Sequence, residues 1–206
     1  MGTPKSPVGV TDLMAIRGIS VLLDTNILIQ GTGAKFQEQR VAITDFCKQN
    51  NVCICDTVFY EFMRNCSLKT FRQRRIQVES RIGGKETPMR VLAENDDVCR
   101  TFENLWILYL YLMRSEPKRL IHLSKEDAWI SAAAVHHKID NILTTDDSGD
   151  YPSEVFSSRS FDLGKEKSGL ILHLKTFRRE AAREHWKIML KTKLINVSFQ
   201  SFASNR

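Results

Sequence analysis

No stretch of this chain is apolar for long enough to cross a bilayer. The longest run, residues 105–113, is about half of the roughly 20 residues a spanning helix requires. An apolar leader is also lacking at the N-terminus, where Gly2, Pro4, Ser6, Pro7 and Gly9 read as a tail instead. Met1-Gly2 with Ser6 matches a bare myristoylation pattern, but Pro4 falls inside it. There is no internal repeat and no low-complexity tract. Histidines number five and the cysteines five, an odd count. No two-residue-spaced cysteine pair is repeated and no histidine pair has zinc-finger spacing, so a zinc module is not indicated. Cys53 and Cys55 alternate onto one face of an apolar stretch, as buried thiols do. These absences lead to the expectation of a reduced, cytoplasmic protein with no membrane segment.

The composition is that of a globular protein: 42% hydrophobic and 26% charged over 206 residues. That length suits one domain with a modest extension. The net charge is +6. From Ser160 onward Lys and Arg number ten and Asp and Glu four. That excess equals the excess of the whole chain, so the basic part is the C-terminal part.

The informative pattern is a set of acids at element ends. Val21, Leu22 and Leu23 form the continuous apolar run of a strand covered on both faces, and the run stops on Asp24. A carboxylate at the C-terminal end of a parallel strand stands where open α/β sheets bind ligands. Glu61 follows the apolar run Val52-Cys53-Ile54-Cys55, at the front of an expected helix over residues 57–68. Asp127 opens an alanine-rich helix behind a capping-box pattern, Ser124-Lys125-Glu126-Asp127. Asp146 ends a second buried run, Asn141-Ile142-Leu143-Thr144-Thr145. Strands alternating with helices predict an α/β fold with a parallel sheet. Converging carboxylates repel one another unless a cation joins them. Hard oxygen donors suit Mg²⁺ or Mn²⁺, which can acidify a water and orient a phosphodiester.

Taken together, Asp24-Thr25-Asn26, Glu61, Asp127 with Ala132 to Ala134, and Thr144-Thr145-Asp146 resemble the motifs of a PIN-domain nuclease, in order, across residues 20–160. The resemblance implies an α/β/α sandwich and a metal-dependent endoribonuclease acting on single-stranded or loop RNA. It assigns Asp24, Asp127 and Asp146 to the metal, with Glu61 binding the ion or acting on the nucleophilic water. Asp150 is preferred over Asp147 as a fifth acid, because related chains carry another Asp just past this motif. Thr25, Asn26 and Thr144 would orient carboxylates. Small relatives are toxins held by a protein antitoxin that covers the acidic cleft, and a homodimer is compatible with the family. The roughly forty residues past Asp162 and the basic insert near 69–90 make the chain long for a minimal toxin, so an RNA-processing role stands beside that one.

Each residue also has a plainer explanation. Asp24 or Asn26 could cap a helix, Asp127 is already accounted for as a helix-start residue, and Asp146 and Asp147 suit a turn. The joint pattern favours the site. Lys69, Arg72, Arg74 and Arg75, with Arg178 and Arg179 in an expected basic helix over 175–193, are candidates for RNA phosphates. Solvated helix faces are their alternative. The expected organisation is a flexible tail over 1–17, the nuclease domain over 18–162, and a basic extension over 163–206 packed on the same domain. Helices are also expected over 37–49 and 96–113, and edge or late strands over 154–157 and 169–174. Two rival functions remain: a haloacid-dehalogenase-like phosphatase with an aspartyl nucleophile, and a catalytically inactive PIN module that binds RNA or protein. The phosphatase would want an acid where Asn26 stands.

Overall fold

Burying both faces of an apolar run requires neighbours on either side, and the strand that ends at Asp24 has them. The computed structural model describes residues 8–32, 37–64, 72–73, 76, 89–114, 124–146, 151–164 and 170–191. In chain order these residues form β1 (Val8–Gly9), α1 (Val10–Met14), β2 (Ser20–Leu23), α2 (Thr25–Thr32), α3 (Gln37–Gln49), β3 (Asn51–Cys55) and α4 (Asp56–Met63). They continue with β4 (Arg90–Leu92), α5 (Asp96–Met113), α6 (Lys125–His136), β5 (Asn141–Thr144), β6 (Phe156–Asp162), β7 (Ile171–Phe177) and α7 (Arg179–Lys191). The strands make one seven-stranded sheet in the order β1-β6-β7-β5-β2-β3-β4. It is mostly parallel: only β7 runs against its neighbours, β5 and β6. Helices flank the sheet, giving the expected α/β architecture.

Val21, Leu22, Leu23, Ile54 and Leu143 are sealed in the core, with Ile27 and Leu28 of α2 and Ile43 and Phe46 of α3 packed around them. The helix starts follow local chemistry. Asn95 caps α5 by accepting from the N–H groups of Asp97 and Val98, each at 3.1 Å, and Ser124 caps α6 by accepting from Asp127 at 3.2 Å. Helix α4 is capped at long range. Cys55 offers no side-chain oxygen there, so Glu94, beyond β4, accepts from the backbone N–H and hydroxyl of Thr57 at 2.9 and 2.8 Å. Asp56 accepts from the Glu94 N–H in return.

Several expectations change. Within the expected tail over 1–17, Val8 and Gly9 pair with Phe161 and Asp162, and Leu13 is fully buried, because one apolar side chain on α1 closes the core beside α3. Strand β4 was not anticipated, since three residues are too few to show alternation. The short edge strand expected over 154–157 is a longer strand, β6, lying between β1 and β7. The stretch expected as a late extension supplies β7, inserted between β5 and β6 inside the sheet. The basic helix begins at Arg179, not 175, so Lys175 lies within a strand.

Candidate active site

Asp24 is the first residue beyond β2. Its backbone N–H donates to the Leu143 carbonyl, which keeps it in the sheet and turns its side chain toward the equivalent position of β5. That position is Thr144. Its hydroxyl donates to Asp24 Oδ2 at 2.7 Å and accepts from Asn26 Nδ2 at 3.1 Å and from the Asp146 N–H at 2.9 Å. One donation and two acceptances are all a hydroxyl can make. Asn26 Nδ2 also donates to Asp24 Oδ2 at 2.8 Å, and its Oδ1 accepts from the Thr145 N–H at 3.0 Å. The amide orientation is therefore set by a carboxylate on one side and an N–H on the other. Asp24 Oδ1 accepts from the Thr25 N–H at 2.6 Å, and the Thr25 hydroxyl donates to Glu61 Oε2. Thr25 thus joins the ends of β2 and α4.

The electrostatics of this network are unfavourable for charge on Asp24. Burial raises its carboxyl above the usual carboxylate range, and the nearby Glu61 pushes the same way. The hydrogen bonds from Thr144, the Thr25 N–H and Asn26 oppose the rise without cancelling it. Two carboxylates with this mutual repulsion, all hard oxygen donors and one of them solvent-exposed at Glu61, fit a divalent cation by chemistry. Among the described residues, however, no group of three or more His, Cys, Asp or Glu side chains closes on a point that could hold a metal ion.

Of the other expected acids, Asp146 follows β5 and is tied to the network through its N–H. Asp127 lies in the first turn of α6 and accepts from the Tyr151 hydroxyl at 3.4 Å. Asp147 and Asp150 lie outside the described residues, as do Lys69, Arg74 and Arg75. Arg72 is helical and exposed. Arg178 donates to the carbonyls of Ser153 and Glu154, each at 2.7 Å, and Arg179 pairs with Asp140 at 2.7 Å. Both follow Phe177, at the end of β7 that lies beside the start of β5, whereas the acids lie beyond its finish at Thr144. The fold therefore does not bring Arg178 and Arg179 to the acid pair.

Tyr151 is the site residue the sequence reading missed. It follows a polar stretch of sequence and precedes Pro152, yet it is buried. A bulky tyrosine in a Ser-Gly-Asp-Tyr-Pro segment was the available signal, because a buried tyrosine hydroxyl needs a partner. Cys53 and Cys55 are buried in β3, and burial pushes the Cys53 thiol up to about 12 and that of Cys55 higher still. Such thiols are inert at neutral pH.

With this geometry in place, comparison with known proteins is informative. The PIN domain family matches residues 21–150, which span Asp24, Glu61, Asp127, Asp146, Asp147 and Asp150. Among solved structures, VapBC2 from Rickettsia felis, bound to a DNA fragment from their promoter, is similar at 17% identity and a TM-score of 0.44. The match covers 62% of this chain and 89% of that one. No curated protein matches.

Proposed function

The chain belongs to the PIN domain family, whose members are typically nucleases, and on that premise we propose that it is a divalent-metal-dependent endoribonuclease. The observation that carries the reading is the Asp24–Thr25–Glu61 bridge. It holds a buried and an exposed carboxylate together at the C-terminal edge of a parallel strand, at an electrostatic cost that a bound cation would relieve. Asp24, Asp127 and Asp146 would hold Mg²⁺ or Mn²⁺, with Asp150 as a further ligand. The ion, when bound, supplies a water of lowered pKa and neutralises charge on the phosphodiester.

The chain's own groups do the rest. Thr144 and Asn26 fix both the position of Asp24 and the path of the backbone into Asp146. Thr25 aims Glu61, whose exposed carboxylate accepts a proton from the attacking water. The water oxygen bonds to phosphorus and the P–O3′ bond breaks, leaving a 5′-phosphate and a 3′-oxyanion that takes a proton from solvent to become the 3′-hydroxyl, while Glu61 releases its proton to solvent. Arg72, with Lys69, Arg74 and Arg75, is assigned to the substrate backbone, and Arg178 and Arg179 to a remote contact at most. The role as a toxin with an antitoxin seated over the acids, the RNA-processing role and a homodimer all belong to this proposal. The phosphatase reading loses support because Asn26 acts as an amide donor to Asp24, where an acid would be required.

The test is cleavage of end-labelled single-stranded RNAs with Mg²⁺, Mn²⁺ or EDTA by wild type, Asp24→Asn and Asp127→Asn. Metal-dependent fragments that vanish in both variants are expected. Fragments that persist in EDTA, or in both variants, would refute the assignment. RNA binding without metal and without cleavage would instead favour an inactive binding module.

A further inference from the structure

Just beyond the short strand β4, three consecutive residues tie three helices together. Pairing of β4 with β3 sets Leu92 opposite Cys55, so two residues further on Glu94 and Thr57 face each other past the parallel strand ends. There each oxygen of the Glu94 carboxylate takes one group of Thr57. Oε1 accepts from the backbone N–H at 2.9 Å and Oε2 from the hydroxyl at 2.8 Å. The Glu94 N–H donates back to Asp56 Oδ2 at 3.0 Å. The residues on either side of Glu94 meet other helices. Asn95 caps α5, and the Ala93 carbonyl lies 3.2 Å from His137 Nε2 at the end of α6.

A helix start is satisfied by one local acceptor, and a serine or aspartate in place of Cys55 would supply it. Such a cap would not fix where the helix stands on the sheet. A carboxylate from the next strand, gripping both polar groups of one residue, fixes position and rotation together. Helix α4 runs only from Asp56 to Met63, so a constraint on its first turn is felt along its whole length. Thr57 and Glu61 are four residues apart, on one face and about 6 Å apart along the axis. A tilt of about 10° at Thr57 therefore carries Glu61 through about 1 Å. The exposed Glu61 carboxylate is held by the Thr25 hydroxyl, a contact that such a shift would break.

We propose that Glu94 is a positioning residue for Glu61: its grip on Thr57 sets the tilt and rotation of α4 and so keeps the Glu61 carboxylate within reach of Thr25 and of the acid site. The proposal rests on the nuclease reading for its purpose but not for its metal-free test.

The first experiment is a double-mutant cycle on metal-free protein in EDTA, read by thermal unfolding of wild type, Thr25→Val, Glu94→Ala and the pair. Thr25 and Glu94 hydrogen-bond to different turns of α4, so unconnected losses would add. Thr25→Val is expected to lose much less Tm in the Glu94→Ala background than alone, because the Thr25–Glu61 bond is already broken there. Additive losses would overturn the proposal. If Glu94→Ala does not fold, Thr57→Val, which keeps the N–H contact and removes the hydroxyl one, takes its place in the cycle with the same two outcomes.

The second experiment is steady-state cleavage of a labelled single-stranded RNA with Mn²⁺. Glu94→Ala is expected to lower kcat about 10–100-fold with KM within about twofold of wild type. Glu94→Gln, whose amide can meet both groups of Thr57, should keep most of the rate. In a Glu61→Gln background Glu94→Ala should change the residual rate by less than about twofold, because the group it positions is gone. Equal fold-losses in both backgrounds, or a glutamine variant as slow as the alanine one, would overturn the proposal. A wild type that cleaves no RNA would overturn the nuclease reading, while the metal-free cycle would still decide whether Glu94 positions Glu61.

Discussion

Replacing Thr144 with valine keeps the shape of the side chain and removes one hydroxyl. That hydroxyl is fully buried and makes three hydrogen bonds, to Asp24, Asn26 and the Asp146 N–H. Its bond to the Asp24 carboxylate is charge-assisted, and such bonds contribute about 1.5–3 kcal/mol net. The Asp146 N–H is only partly buried, so water replaces some of its loss and about 1 kcal/mol is a fair figure there. The expected destabilisation at neutral pH is therefore about 3 kcal/mol. For a chain of this length each kcal/mol moves Tm by roughly 2–4 °C, so a fall of about 6–12 °C is expected in EDTA. Thr144→Ser, which keeps the hydroxyl, should lose much less.

The pH dependence of the Thr144→Val deficit has a definite sign. Thr144 lowers the Asp24 pKa against the rise from burial, so the variant raises it further. Below the unfolded value of 3.8, Asp24 is protonated in both states and both proteins, and the charge-assisted part of the deficit disappears. The stability gap should narrow as pH falls toward that value. Urea unfolding of the three proteins across pH measures it. A Thr144→Val variant within about 0.5 kcal/mol of wild type at neutral pH, or a Thr144→Ser variant as damaged as the valine one, would refute the reasoning.

Other consequences follow from single contacts. The folded Asp24 pKa lies above 3.8, so this group's contribution to metal-free stability should fall as pH rises from 3.8 through the folded value and be flat above it. Urea titrations in EDTA check this, and a rise over that window would contradict the burial argument. Glu94→Ala should cost about 1–2 kcal/mol by uncapping α4, read by denaturant midpoint at unchanged m-value, although Glu94 is 37 residues away from Thr57 in sequence. Leu13→Ala should cost about 2–5 kcal/mol, and a loss below about 1 kcal/mol would mean that α1 is not part of the core.

Much of the fold was legible because its signals are local. Helix α3 spans Gln37–Gln49 and α5 spans Asp96–Met113, as their apolar spacing suggested, and Ser124 caps α6 as its capping box suggested. The buried runs at Val21 and Ile142 are adjacent parallel strands. Asp24 and Glu61 stand out by their places at element ends, Thr25, Asn26 and Thr144 by the motif resemblance, and all five share one hydrogen-bond network. What could not be read was any element whose evidence lies elsewhere in the chain. Strand β4 is three residues long and is recognisable only by its pairing with β3. Arg178 and Arg179 looked available for RNA, but they are engaged at the opposite end of the sheet from the acids.

The sequence by itself determined that strands run through Val21 and Ile142, that helices cover Gln37–Gln49 and Asp96–Met113, and that acids stand beyond the ends of those two strands. Periodicity, capping residues and turn residues act within a few positions along the chain, and they are written in its order. Only the tertiary structure decided that β7 enters the sheet antiparallel between β5 and β6, that Tyr151 reaches Asp127, and that Lys175 is buried in an interior strand. Those outcomes depend on strand register, and a slip of one residue would have turned His173 and Lys175 to the other face. Register is set by the summed packing of residues far apart in the chain, so no local pattern around Lys175 distinguishes a buried strand lysine from the first basic residue of a surface helix.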